Sequence, residues 1–155
     1  MLPFKKILYP TDFSEASYEA LKAANELALH FSTELYLVHV VSLVPIEEAS
    51  ADYSGTSDLS ILEKMETAAK NSLQEIVKQR VPKELPTHQI VLLGGAADEI
   101  IRIGEEEKVD LIVIATHGQT GWRHLVFGSV AEKVVRLAPC PVLTIRAPHE
   151  ESKKP

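Results

Sequence analysis

Five short apolar runs alternate with four segments of helical periodicity along this chain of 155 residues. The runs are rich in β-branched residues and are bounded by glycine, proline or polar residues, which is typical of buried strands. They cover residues 4–9, 34–44, 87–93, 111–115 and 142–145. Strict alternation of strand and helix predicts one α/β domain, in which a single parallel sheet has helices on both faces.

The four helical segments carry apolar residues three and four positions apart, which predicts one buried stripe on each helix. They cover residues 15–31, 61–81 and 98–107, and the fourth opens at Ser129. Ser14 is a good N-cap for the first helix. Ser129, followed three residues later by Glu132, fits a capping box for the fourth.

The length of the chain matches one ordinary domain of roughly 100–150 residues. We expect this domain to cover residues 1–148 and to be followed by a frayed polar tail at 149–155. Residues 42–60 lack periodicity and are rich in acidic residues and serine with a proline and a glycine, so they predict a long loop.

The composition disfavours several classes of protein. The net charge of −6 argues against a nucleic-acid surface, which needs a clustered basic face. No apolar run reaches the ~20 residues of a membrane helix. The single cysteine, Cys140, cannot form an internal disulfide, and its place between two prolines predicts a packed side chain rather than a reactive thiol. We therefore expect a cytoplasmic protein with no nucleic-acid or membrane partner.

Ligands of parallel α/β sheets bind beyond the carboxyl ends of the strands, where the strand order reverses. Two turns at such ends look equipped for a ligand: Pro10-Thr11-Asp12 after the first strand and Thr116-His117-Gly118 after the fourth. The second turn leads through a glycine-bearing loop to Gly128 and Ser129 at a helix start. Backbone N–H groups and the positive helix end can hold a phosphate there, although an ordinary glycine-bearing loop has the same pattern.

These residues carry a resemblance to a known family. Neither G-x-x-x-x-G-K-[ST] nor G-x-G-x-x-G occurs in the chain, but it resembles a universal stress protein of the ATP-binding type over nearly its whole length. That family has Gly-x-x-Gly, nine residues, and then Gly followed by Ser or Thr. This chain has ATHG at 115–118, nine residues at 119–127, and then Gly128-Ser129. The segments ILYPTDFS at 7–14 and CPVLTI at 140–145 are also similar to the family's.

The resemblance implies a Rossmann-like fold of the adenine nucleotide alpha hydrolase type, with five parallel strands in the order 3-2-1-4-5. It implies ATP as the ligand, with AMP or ADP as alternatives and Mg²⁺ held through the phosphates. The nucleoside end would lie at Pro10, Thr11 and Asp12, and the adenine region at Val40. The site residues that it implies are Pro10, Thr11, Asp12, Val40, Ala115, His117, Gly118, Gly128, Ser129 and Val130.

Several of these positions have a second interpretation. Asp12 also fits an N-cap or Asx-turn residue of the first helix, and Val40 also fits a core residue. His117 has no partner acid or nucleophile at a recognisable spacing, which disfavours a general base. Ala115 stands where the family has glycine, and we expect a negative φ there, which alanine tolerates, because the residue ends a strand. His39 lies inside an apolar strand and predicts a hydrogen-bonded core histidine.

The resemblance implies a stress-response module that binds nucleotide as a homodimer and hydrolyses it slowly or not at all. The dimer would join the fifth strands of two subunits through Val142, Leu143, Thr144 and Ile145. A nucleotide-free interaction scaffold of the same fold is the alternative, and Ala115 is its best support. A phosphorelay receiver is disfavoured because Asp12 has no second acid beside it and the third strand ends without an aspartate.

Overall fold

The computed structural model describes residues 2–42, 58–117 and 127–148. The strands are β1 (Lys6–Pro10), β2 (Glu34–Val41), β3 (Thr87–Leu93), β4 (Leu111–Ala115) and β5 (Val142–Ile145). The helices are α1 (Glu15–Phe31), α2 (Asp58–Arg80), α3 (Ala96–Glu106) and α4 (Ser129–Leu137). Strand and helix alternate along the described residues in the predicted order.

The strands form one parallel sheet in the order β3-β2-β1-β4-β5. This confirms the predicted fold class and strand order. β1 is the central strand and pairs with β2 on one side and β4 on the other. The strand order reverses between β1 and β4, so the carboxyl ends of these two strands border the crevice in which such sheets bind ligands.

Side chains of the sheet alternate between two hydrophobic layers, because successive strand residues point to opposite faces. Helices α1 and α2 cover one face, and this α1–α2 layer includes Ile7, Tyr9, Leu35, Leu37 and Val113. Helices α3 and α4 cover the other face, and this α3–α4 layer includes Leu8, Tyr36, Val38, Ile112 and Ile114. The continuous apolarity of β1 and β4 follows from this burial on both faces.

The helix starts confirm one predicted cap and correct another. Ser14 is the N-cap of α1, and its side chain accepts a backbone N–H of the first turn. At α4 the capping-box prediction is wrong: Gly128 is the N-cap, without a side-chain hydrogen bond, and Ser129 is the first helical residue. The Glu132 carboxylate pairs instead with Arg136 one turn further on, at 3.0 Å.

The remaining boundaries differ from the predicted ones by a few residues at helix and strand ends. Helix α2 begins at Asp58, so the end of the predicted loop 42–60 is helical. Residues 43–57 of that loop and the predicted tail 149–155 lie outside the described residues. Across the described ranges, none of the helices is both long and apolar enough to cross a membrane.

Candidate functional site

The turn after β1 is held by buried hydroxyl groups. The Thr11 hydroxyl accepts the N–H of Phe13 at 3.0 Å and lies 3.0 Å from Ser17 Oγ. Because Ser17 Oγ donates to the Ser14 carbonyl at 2.7 Å, the Thr11 hydroxyl is the donor toward Ser17. Thr11 is only 6% exposed, so its hydroxyl stabilises the turn, and a ligand would meet mainly its backbone.

A buried phenol supports the same turn from the α1–α2 layer. Tyr9 is fully buried, and its hydroxyl donates to the Ser17 carbonyl at 2.8 Å. Burial raises the pKa of Tyr9 to about 12, and the hydrogen bond to Ser17 opposes this rise only in part. The phenol therefore keeps its proton at neutral pH and ties the first turn of α1 to β1.

Asp12 is the acidic residue of this turn. Its Oδ1 accepts the N–H of Ser14 at 3.0 Å and the Ser14 hydroxyl at 2.5 Å. This geometry is an Asx-turn, which is one of the two interpretations that the sequence allows. A carboxylate has about four acceptor positions on its two oxygens, so a role in the turn is compatible with a second role toward a ligand.

The carboxyl end of β4 meets the N-terminus of α4. The Gly128 N–H donates to the Thr116 carbonyl at 2.6 Å, and Thr116 Oγ1 lies 2.9 Å from His117 Nδ1. The hydrogen bond from Glu132 to the Gly128 carbonyl closes the first turn of α4, so the N–H groups of residues 129–131 have no partner within the helix. Because Gly128 adds no side-chain cap, these N–H groups and the positive end of the helix dipole are available to an anion.

One cavity of about 280 Å³ connects the turn after β1 with the start of α4. Its volume is near the lower end of the roughly 300–1,000 Å³ typical of small-molecule sites. Nine of the ten predicted site residues line it: Pro10, Thr11, Asp12, Val40, Ala115, His117, Gly128, Ser129 and Val130. The tenth, Gly118, lies outside the described residues. The fold thus brings residues from two distant turns to one cavity.

Thr116, from the second turn that the sequence singles out, also lines the cavity. The cavity has further lining residues that the sequence does not predict: Ser17, Val38, His39, Ala96, Ile100, Ile114 and Ala131. Val38 could have been found from Val40, because strand residues two positions apart share a face. The contribution of α3 depends on how that helix packs against the sheet, for which a single sequence carries no signal. Together Val38, Val40 and Ile114 give the cavity an apolar wall.

Ala115 occupies the position at which the family motif has glycine. Its φ is not positive, as the end of a strand predicts. Ala115 is 9% exposed and belongs to the core cluster of the α1–α2 layer. The apolar residues Val38, Val40 and Ile114 of the cavity wall belong to the α3–α4 layer, whereas the methyl group of Ala115 packs in the core on the opposite face of the sheet.

The charge of the cavity is low. Among the described residues that line it, Asp12 is the only aspartate, glutamate, lysine or arginine. Nor do the described residues include three or more histidine, cysteine or carboxylate side chains grouped to hold a metal ion. The arrangement is suited to an anion held by backbone N–H groups at α4 and joined to a flat apolar group along Val38, Val40 and Ile114.

Cys140 lies away from this cavity, between α4 and β5. Its side chain is half-buried and packs against the α3–α4 layer. Burial raises the pKa of the Cys140 thiol to about 11, and the negative charge of Asp110 adds to the rise. The thiol is therefore protonated at neutral pH, which agrees with the predicted packed and unreactive side chain.

The fold and the cavity define a class of protein: a single parallel α/β sheet with a small-molecule pocket at the point where its strand order reverses. The model of the universal stress protein family matches residues 3–146. The chain belongs to the universal stress protein family.

Similar proteins cover nearly the whole chain. Universal stress protein MJ0531 of Methanocaldococcus jannaschii is 37% identical over 96% of this chain and 85% of its own length. The solved structure of MJ0577, described as a hypothetical protein, covers 95% of this chain and 99% of its own, at 31% identity and a TM-score of 0.81. Universal stress protein UspA from Lactobacillus plantarum covers 94% of this chain and 100% of its own, at 26% identity and a TM-score of 0.78.

Two more distant structures of the family contain nucleotides. One is a universal stress protein in complex with cAMP, at 17% identity and a TM-score of 0.63, covering 92% of this chain and 97% of its own. The other is the universal stress protein from Archaeoglobus fulgidus in complex with dAMP, at 20% identity and a TM-score of 0.56. It covers 94% of this chain and 99% of its own. At these identities the comparison shows that the fold is shared.

Proposed function

We propose that this chain binds ATP, or a related adenine nucleotide, in the cavity between β1 and β4. In this proposal the protein is a dimeric binding module of a stress response, with little or no hydrolysis of its own. The observation that supports it best is the α4 N-terminus, which has no side-chain cap and lies at one end of a cavity whose other end is the turn at Asp12.

The phosphates would bind at the start of α4. The aligned peptide dipoles of a helix give its N-terminus the equivalent of about half a positive charge. The N–H groups of residues 129–131 add hydrogen-bond donors, and Ser129 lines the cavity. Mg²⁺ would be held mainly through the phosphates, because Asp12 is the only carboxylate among the described lining residues.

The nucleoside would occupy the end of the cavity near β1 and β2. Val38, Val40 and Ile114 offer apolar surface to the adenine ring, and the Asp12 carboxylate can accept hydrogen bonds from ribose hydroxyl groups. The cAMP and dAMP complexes of proteins with this fold support an adenine nucleotide as the type of ligand. ATP is preferred here because an uncapped helix N-terminus suits a chain of phosphates.

The side chains around the cavity support slow or absent hydrolysis. Rapid transfer of a phosphoryl group needs a residue that positions the attacking water and a cation that stabilises the transition state. The described lining residues include neither a lysine nor an arginine. Arg123 and His124 lie close to the site in sequence but outside the described residues, so turnover has to be measured alongside binding.

Calorimetric titration with ATP, ADP, AMP and GTP tests the proposal. We expect saturable one-site binding of ATP, weaker binding of GTP, and release of phosphate at no more than a few turnovers per hour, far below the roughly 10 per second of a median enzyme. Native mass spectrometry of freshly purified protein should show a discrete added mass from carried-over nucleotide. Absence of binding by all three adenine nucleotides would refute the proposal in favour of a nucleotide-free scaffold.

The proposed homodimer pairs the β5 strands of two subunits. β5 is an edge strand of the sheet, and its Leu143 side chain is 37% exposed. Val135 and Leu137 on the adjacent α4 are also exposed. An uncovered apolar edge invites pairing, and a second copy of the same edge would cover it.

Light scattering after gel filtration tests this dimer at micromolar concentration. The unaltered protein should elute as a dimer, and Leu143→Lys should elute as a monomer because it places a charge on the paired edge. Leu59→Lys is the control, since Leu59 is an exposed leucine on α2, which packs against β2 and β3. A monomeric unaltered protein would rule out the dimer and leave the nucleotide site untouched.

A further inference from the structure

His39 connects the end of β2 to the turn after β1. Its Nδ1 lies 2.8 Å from the Thr11 carbonyl oxygen. A carbonyl oxygen can only accept, so Nδ1 carries the proton and donates it. The last residue pair of β1 and β2 is Pro10 with Val38. The His39 imidazole therefore binds the first carbonyl beyond this pair, that of Thr11.

The same imidazole supports Phe13. The two rings are stacked, with centroids 4.3 Å apart and planes inclined by 27°. Phe13 has a φ of 65°, in the left-handed region that a bulky residue adopts only against a cost in free energy. Such a conformation persists where neighbouring contacts outweigh the cost, and the stack on His39 is one of these contacts, beside the hydrogen bond from the Phe13 N–H to Thr11 Oγ1.

The turn supported by His39 is the one that presents Asp12 to the cavity. The bonds from Ser14 to Asp12 fix this carboxylate relative to its own turn. Besides the stack of Phe13 on His39, two hydrogen bonds fix the turn relative to β2: the 2.8 Å bond from the Thr11 N–H to the Val38 carbonyl and the bond from His39 to the Thr11 carbonyl. Loss of the bond from His39 would leave the hydrogen bonds within the Asx-turn intact. The turn could then tilt about its remaining bond to β2, from the Thr11 N–H to the Val38 carbonyl.

We propose that His39 is a positioning residue of the nucleotide site. It holds the turn at 11–13 so that Asp12 faces the ribose of a bound adenine nucleotide. This inference rests on the function proposed above for the same cavity. Nucleotide affinity should therefore depend on a hydrogen-bond donor at the position of His39 Nδ1.

Three substitutions distinguish the effect of the hydrogen bond that Nδ1 donates from the effect of the ring that stacks on Phe13. His39→Asn places an amide N–H group where Nδ1 lies, whereas His39→Gln carries the same amide one methylene further from the backbone. His39→Phe keeps a ring to stack on Phe13 and removes the donor. Asn and Gln form the matched pair, because they differ in reach and share their chemistry.

Calorimetric titration with ATP and thermal unfolding of each variant provide the test. We expect His39→Gln and His39→Phe to bind ATP about tenfold more weakly than the unaltered protein, and His39→Asn to remain within about threefold of it. Unaltered affinity in folded His39→Gln and His39→Phe would overturn the inference. So would an affinity of His39→Asn as low as that of His39→Gln.

A second measurement distinguishes failure of this inference from failure of the proposed function. If the unaltered protein binds no adenine nucleotide, the proposed function is refuted. Amide hydrogen exchange then decides the role of His39 in the turn. The amide of Thr11, whose bond to the Val38 carbonyl then remains of the two hydrogen bonds to β2, should exchange about tenfold faster in His39→Gln than in His39→Asn. Equal exchange in these two variants would overturn that role as well.

Discussion

Replacement of Gly128 by valine is expected to weaken ATP binding by about a hundredfold, since several charge-assisted hydrogen bonds would be lost or lengthened. The Gly128 N–H donates to the Thr116 carbonyl at 2.6 Å, and a Cβ added to Gly128 would lie 3.3 Å from that same oxygen. A β-branched side chain must therefore push the start of α4 away from the end of β4. The N–H groups of residues 129–131 would move with it, and calorimetric titration with ATP measures the loss.

Gly104 on α3 provides the control for this substitution. A Cβ added there would meet Ile112 Cδ1 at 3.6 Å, an ordinary contact, and Gly104 does not line the cavity. Gly104→Ala should therefore bind ATP as the unaltered protein does, and Gly128→Ala should fall between the unaltered protein and Gly128→Val. Full affinity in a Gly128→Val protein that still unfolds cooperatively would contradict the proposed phosphate site.

Truncation of Leu8 to alanine is expected to lower the free energy of unfolding by about 3 kcal/mol. Leu8 is fully buried in the central strand β1, where it packs in the α3–α4 layer with Tyr36 and Ile112. Loss of its side chain removes apolar burial and leaves a cavity that close-packed neighbours fill only in part. Urea-induced unfolding at equilibrium measures the change.

Leu59→Ala is the matched substitution for Leu8→Ala. Leu59 is 77% exposed on α2, so its truncation removes little buried surface and should change the free energy of unfolding by less than about 0.5 kcal/mol. Both variants delete the same atoms from a leucine. A similar loss for the two would mean that β1 is not packed as the structure describes.

Periodicity in the sequence predicts the order of the elements and the edge of the sheet at which a ligand should bind. β3, β4 and β5 have the predicted bounds. Proline precedes β3 and β5, aspartate precedes β4, and glycine follows β3. Helix α2 begins at Asp58, before the predicted start at Ile61, because periodicity marks the buried stripe of a helix and residues 59–61 are exposed. Strand order is a different case, since alternation of strand and helix is compatible with more than one order and the family resemblance selected one.

The site is predictable where it follows local turn chemistry and less so where it depends on contacts between distant residues. Ser129 and Glu132 have the spacing of a capping box, but the N-cap of α4 is one residue earlier, at Gly128, whose N–H is bonded to the Thr116 carbonyl. His39 is hydrogen-bonded as predicted, but it is half-buried and lines the cavity rather than lying in the core. Its partner follows the neighbouring strand β1. A single sequence does not identify the Thr11 carbonyl as that partner.

The internal hydrogen bonds of the turn after β1 affect the thermodynamics of binding as well as the shape of the pocket. Thr11, Asp12 and Ser14 have bonds within the turn before any ligand arrives. A ligand that meets such a pre-organised surface loses little conformational entropy of the protein on binding. This smaller entropy cost favours affinity even in a cavity of modest size. The rate of association at this end of the site is then not limited by a rearrangement of the backbone.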